Sequence, residues 1–384
     1  MNLALSDEQV LLREAARDAL SRVKTLEAAR EALDSAPEAD VLPDLWPMAC
    51  EAGWPGLLIS EERGGAGLDA FDAMLVLGEC GRVLAGVPLL GHLPATAILG
   101  AAPGAAGLLP ALASGEQRAA YLPSRPPGDL GEGWSVERSS GMGRGPLPTV
   151  GAPADDGSAP LDGRVPFVPD APAASCYVGV ATGSVGPVGV VVQAGAPGVS
   201  VDRIRRYDAT RSLGHVSFDQ APAQILDCPL DSLAEAWHLA QALIAAESIG
   251  SVESALEVSV QYAKERFTFG RAIGSYQAVK HSLTEVLRQL ENGRSLLYYA
   301  GWSRRGAAGE FPLAAAAARS VAGHALDHAA RTMISVHGGI GATWEHDAPL
   351  YFRRAQLSRR LIGGTEDATE RVAGEALARA GAGA

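Results

Sequence analysis

Apolar residues recur at three- and four-residue steps through Leu239, Leu243, Ala246, Ile249, Val252 and Leu256, the stripe of an amphipathic helix. A second stripe, Val279, Leu283, Val286, Leu287, Leu290, Leu297 and Tyr298, predicts a helix from about Tyr276 to Trp302. The loop from Phe269 to Gly274 separates the two. An Ala-rich helix is expected from Leu313 to about Val336, another from Pro349 to Leu361, and a last one after Thr365, an N-cap followed by carboxylates. At the other end, Ser6-Asp7-Glu8 reads as a capping-type helix start and Phe71 to Leu84 as a further helix. The Gly-rich run GWPGLLISEERGGAGLD lies between them. From about Tyr121 to Cys228 the pattern changes to short β-branched runs at 177–181, 188–193 and 215–218, set apart by turn residues. The stretch from Pro123 to Ser158 reads as loosely structured.

Proline sharpens this division. Of 24 prolines, 22 lie at or before Pro229, which leaves residues 231–311 free for long helices. The order helical, β, helical predicts an α+β chain with segregated classes. The expected domains are an N-terminal α-helical domain over 1–120, a middle β domain over 121–229 and a C-terminal helical bundle over 230–384.

Charge and cysteine usage narrow the chemistry. A net charge of −12 disfavours nucleic acid as a partner. The four cysteines form no CxxC pair, so neither a zinc site nor a disulfide framework is suggested. His324 and His328 are four apart but have no third ligand near, so no metal is expected. The N-terminus lacks the apolar core of a signal peptide, and no run of about 18 apolar residues occurs. A soluble cytoplasmic protein with no membrane partner is the expectation.

Two segments carry a specific resemblance. Residues 262–281, YAKERFTFGRAIGSYQAVKH, resemble the acyl-CoA dehydrogenase signature, in which a helix ends at an Arg-x-x-Phe-Gly loop and a Gln opens the next helix. Arg266, Phe269 and Gln277 stand at those places. Residues 336–354, VHGGIGATWEHDAPLYFRR, resemble the family's Gly-Gly-x-Gly segment; the openings SDEQVLLR, EAGWPGL and ERGGAGL are similar more loosely. The resemblance implies an N-terminal helical domain, a middle β-barrel or sandwich and a C-terminal four-helix bundle, with FAD held between the β domain and the bundle. It also implies a homo- or hetero-oligomer (dimer or tetramer), in which the Arg-x-x-Phe loop and the Gln reach a neighbouring subunit's dinucleotide. An acyl-CoA substrate and an electron-transfer acceptor follow. Arg266 can fork onto a pyrophosphate, Phe269 can stack, Gln277 can donate, and Gly338 and Gly339 let backbone approach the cofactor. Thr365, in the turn before the last helix, is a further cofactor-binding candidate.

The family abstracts an α proton with a carboxylate while hydride leaves the β carbon for flavin. The usual base positions fall on Gly363, in LIGGT, and on about Ala240, so neither carries a carboxylate. Glu247, two turns beyond Ala240 and preceded by Ala245-Ala246, is the candidate base; Glu366, Asp367 and the Glu345-His346-Asp347 cluster are further candidates. Two readings stay open: an active FAD-dependent dehydrogenase with a displaced base, or a non-catalytic subunit that completes the FAD site of a second chain. WEHD at 344–347 and DATR at 208–211 resemble actinobacterial members that handle bulky CoA thioesters such as steroid side chains.

Overall fold

The computed structural model describes residues 4–34, 43–124, 146–155, 157–204 and 208–382. Six helices open the described chain: α1 (Asp7–Ser21), α2 (Thr25–Asp34), α3 (Trp46–Glu51), α4 (Ala70–Arg82), α5 (Leu89–Gly100) and α6 (Leu109–Ala113). Local chemistry sets their starts. Ser6 accepts from the Gln9 amide at 3.2 Å while Gln9 accepts from the Ser6 amide at 3.1 Å, a reciprocal capping box. Asp69 and Asp72 form the same device ahead of α4. Pro94 sits inside α5, where a proline ordinarily costs about 3 kcal/mol. Every residue of α5 except Ala97 and Gly100 is buried, so packing outweighs the lost backbone bond.

The β region holds β1 (Ala119–Leu122), β2 (Thr149–Val150), β3 (Ser158–Pro169), β4 (Cys176–Thr182), β5 (Pro187–Gln193), β6 (Val199–Arg203) and β7 (Leu213–Leu226). The pairings run β4–β2–β3–β7–β5 and return from β5 to β4, which closes the sheet into a barrel; β1 pairs parallel with β4, and β6 pairs with β7. β4 shows why its residues are apolar without alternation. Val178 and Val180 face the helical core, whereas Tyr177 and Ala181 enter the barrel core, so both faces are buried.

Strand β3 begins at the end of the stretch expected to be loose and carries Pro160, Pro166 and Pro169. It tolerates them through register shifts between Leu161 and Gly163 and between Val165 and Val168. Pro160 lies opposite Pro222 of β7, a pair that exchanges no N–H bonds because neither residue has an N–H.

The C-terminal part consists of α7 (Leu230–Glu265), a hairpin of β8 (Phe267–Thr268) and β9 (Arg271–Ala272), then α8 (Gln277–Gly306), α9 (Phe311–His337), α10 (Ala348–Ser358) and α11 (Gly364–Ala382). Glycine lets α4 cross α7 at backbone distance. A Cβ on Gly81 would lie 1.9 Å from the Glu247 carbonyl oxygen, and one on Gly250 would lie 1.8 Å from that of Gly78. Ala245 and Ala246 lie in this same fully buried stretch of α7, where room goes to a helix crossing. Among the described residues no helix is long and apolar enough to cross a membrane.

Candidate functional site

The candidate residues separate into two groups along α7. Arg266 ends this helix, whereas Ala240 lies near its start, about 39 Å away at 1.5 Å per residue.

The C-terminal end of α7, the N-terminal end of α8 and the C-terminal end of α9 meet at one end of the bundle. Tyr262 of α7 lies 4.3 Å from His337 of α9, ring to ring, and His337 lies 4.0 Å from His346. These rings, with Glu257, Gln261 and Glu265, line an open groove of about 420 Å³. Arg266, Phe269 and Gln277 are all exposed beside it. Phe269 is 96% exposed and holds a left-handed φ of 52°, followed by Gly270 at 77°. Two consecutive left-handed residues make the tight β8–β9 turn. An L-residue costs about 1–2 kcal/mol in that conformation, and a bare phenyl ring adds exposed apolar surface. Strain and exposure thus coincide at this one residue.

Gly338 has φ 64° and ψ −136°, a conformation open essentially to glycine. Gly339 has no such constraint, and a Cβ on either would meet nothing within 4 Å. The space above this backbone is empty of the chain's own atoms, as a shelf for a flat or phosphorylated group requires. Arg266, Phe269, Gln277, Gly338 and Gly339 thus share one exposed end, and their donor set fits a dinucleotide: a guanidinium, an amide, a ring and uncovered backbone.

The opposite group is closed. Gly363 is buried with φ 78°, and a Cβ there would lie 2.7 Å from the Trp237 ring and 2.6 Å from an Asp367 oxygen. Ala240 has no exposed surface. Thr365 is 1% exposed and points its hydroxyl at Gly323, without a hydrogen-bond partner. Such a hydroxyl is not presented to a cofactor. Glu366 and Asp367 fill the first turn of α11 with negative charge, where a phosphate would otherwise be favoured. Arg319 of α9 is fully buried, donates to the carbonyls of Ser358 and Leu361, and is held down to about 10 by desolvation. His238 is pushed down to about 3 by burial and by Arg371. The family's flavin segment is expected at about 121–130, and residues 125–130 lie outside the described residues.

Glu247 is placed against its expected role. It is 2% exposed, and both of its oxygens are engaged. Oε1 accepts from Arg354 Nη1 at 2.7 Å, and Oε2 accepts from Arg211. Arg354 also donates to Asp208 at 3.0 Å, to Thr210, and to the Leu84 carbonyl at 3.2 Å. Two guanidinium groups and two carboxylates therefore neutralise one another where α4, the 208–211 segment, α7 and α10 converge. A base needs a free oxygen facing a substrate, and Glu247 has none. The DATR segment singled out in the sequence supplies three members of this cluster. Asp347 pairs with Arg30 of α2, while Glu345 is exposed.

Sequence reasoning missed Trp237, which fills the base position. Its bulk one turn before Ala240 was the available signal. It also missed Tyr262 as a stacking residue, and nothing local marks Arg30.

Comparison with known proteins agrees with this architecture. The acyl-CoA dehydrogenase C-terminal domain profile matches residues 232–378 and the N-terminal domain profile matches residues 6–125. The acyl-CoA dehydrogenase IpdE2 of Mycobacterium tuberculosis is 31% identical, with 96% of this chain and 97% of that protein covered. The acyl-CoA dehydrogenase FadE34 of the same organism is 30% identical over 99% of this chain and 49% of its own length. Among solved structures, the steroid acyl-CoA dehydrogenase named for the pair Tcur3481-Tcur3483 superposes with a TM-score of 0.84 at 27% identity, covering 98% of this chain and 99% of that one.

Proposed function

The chain belongs to the acyl-CoA dehydrogenase family of oxidoreductases acting on CH–CH donors, and from that premise we propose that it is the cofactor-completing subunit of a heteromeric member. One observation carries the reading: the base position, Gly363, has no carboxylate of its own and is hemmed in by Trp237 and Asp367, whereas Arg266, Phe269, Gln277 and the Gly338–Gly339 shelf are exposed.

Bound FAD would supply a hydride acceptor. This chain's own residues bind and orient. Arg266 offers a forked cation to the pyrophosphate, Gln277 an amide donor, and Phe269 a rigid ring, while the glycines admit close backbone approach. The second chain supplies the carboxylate that takes the α proton. Bulky acyl-CoA thioesters, steroid side chains among them, are the proposed substrate class, supported by the likeness to a steroid acyl-CoA dehydrogenase.

A second reading rests on Asp367. Its carboxylate lies within 2.6 Å of where a Gly363 Cβ would stand, so a displaced base has a candidate there.

The test purifies the chain alone and co-expressed with a family member that carries the usual base, then follows flavin absorbance as acyl-CoAs are added. Bleaching only in the complex is expected, with Arg266→Ala lowering its flavin content. Bleaching by the chain alone that Asp367→Asn abolishes would replace the first reading with the second.

A further inference from the structure

The Gly338–Asp347 loop is braced from outside the bundle by Arg30 of the N-terminal helices. Arg30, on α2, donates through Nε to the Trp344 carbonyl at 2.9 Å and through Nη2 to the Asp347 carboxylate. The pair is part-buried, with the Arg30 side chain 26% exposed, so solvent screens it less than a surface pair. α2 is itself fixed: Ala29 is buried in the core, and Thr25 donates to the Val83 carbonyl at the end of α4.

The loop is held on its other sides too. His346 accepts from the Ala348 amide at 3.0 Å and packs its ring, tilted by 44°, against His337, which packs against Tyr262. The Arg353 guanidinium lies 4.6 Å from the Trp344 ring centre. These contacts all come from the C-terminal helices. Arg30 alone among these contacts ties the shelf to the first helices of the chain.

We propose that Arg30 is a positioning residue for the cofactor shelf: by clamping Trp344 and Asp347 it holds the Gly338–Gly339 backbone in the geometry that receives a dinucleotide. This rests on the reading that the shelf meets FAD in an assembled complex. The physical reason is preorganisation. A loop that must be ordered on binding loses affinity to conformational entropy, and a clamp made in advance removes that cost. Arg30 touches neither substrate nor cofactor, so its effect appears in cofactor affinity and not in the colour or chemistry of flavin once bound.

The experiment uses the assembled complex and titrates FAD into the apo-complex, followed by flavin fluorescence quenching. Arg30→Met, which loses both contacts, is expected to weaken FAD binding roughly tenfold; Asp347→Asn, which loses only the ion pair, is expected to weaken it less, and the double variant no further than Arg30→Met. Arg30→Lys, which keeps a charge but not the second donor to the Trp344 carbonyl, should fall between. The absorbance maximum of bound flavin should be unchanged in all of them. FAD affinity that is unaltered in Asp347→Asn and Arg30→Lys, while Arg266→Ala weakens it, overturns the proposal and leaves the cofactor-completing role standing. Unaltered affinity in Arg266→Ala removes that role instead. If Arg30→Met prevents assembly, the milder pair decides: melting temperatures lowered without a change in FAD affinity also overturn the proposal.

Discussion

Replacing Glu247 by Gln separates a structural carboxylate from a catalytic one. The substitution leaves two buried guanidinium groups facing one carboxylate, Asp208, so a net positive charge stays in the interior. Breaking a buried pair in this way costs about 3–5 kcal/mol. Unfolding entropy is about 2.1 cal/mol/K per residue, which for this chain gives about 0.8 kcal/mol/K and a melting shift of about 4–6 °C. Differential scanning fluorimetry reads it directly. The companion variant replaces both members of one pair, Glu247→Leu with Arg211→Met, and leaves Arg354 matched to Asp208. Its melting temperature should recover most of the loss, since a charge-free pair of similar volume avoids the desolvation penalty. Flavin bleaching by the assembled complex should survive in that double variant. Wild-type melting in Glu247→Gln together with lost bleaching would show an accessible base and refute the closed-cluster argument.

Other substitutions test the packing and the exposed end. Gly81→Ala drives a Cβ to 1.9 Å from the Glu247 carbonyl oxygen, so α4 and α7 must separate; a loss of about 3 kcal/mol or more is expected in denaturant titration. Phe269→Asn relieves a left-handed phenylalanine and should raise the melting temperature of the isolated chain slightly, yet weaken partner association measured by size-exclusion chromatography. His92 is pushed down to about 4 by burial, accepts from the Ala119 amide at 3.1 Å and is therefore neutral when folded. The unfolded chain takes up that proton below about pH 6.5, so stability is whole above this value and falls as pH drops toward 4. The loss at pH 5 is about 2 kcal/mol, and a His92→Gln variant should show a flatter stability profile between pH 6.5 and 5.

Much of the architecture was legible because local rules and global packing agree. The near-absence of proline after Pro229 and the 3.6-residue apolar period set α7, α8 and α9, and Ser6 with Gln9 set the first helix start. Arg266, Phe269 and Gln277 were legible as a spaced motif because they flank a helix break that the sequence itself encodes. Strand β3 was hidden by its prolines, which only bulges and a proline-facing partner strand make tolerable.

The sequence by itself settled which chemical groups the chain possesses: a cation, a ring and an amide around one helix break, glycines after a later helix, and no carboxylate at Gly363 or Ala240. Only the tertiary structure decided what those groups can reach. Whether Glu247 is a base or an ion-pair member depends on Arg211 and Arg354, 36 and 107 residues away along the chain. Whether Gly363 lines a cavity or a packed interior depends on where Trp237 falls after a long helix is laid across it. Burial and charge pairing are properties of neighbours in space, and the local sequence around a residue does not encode which distant segment will supply them.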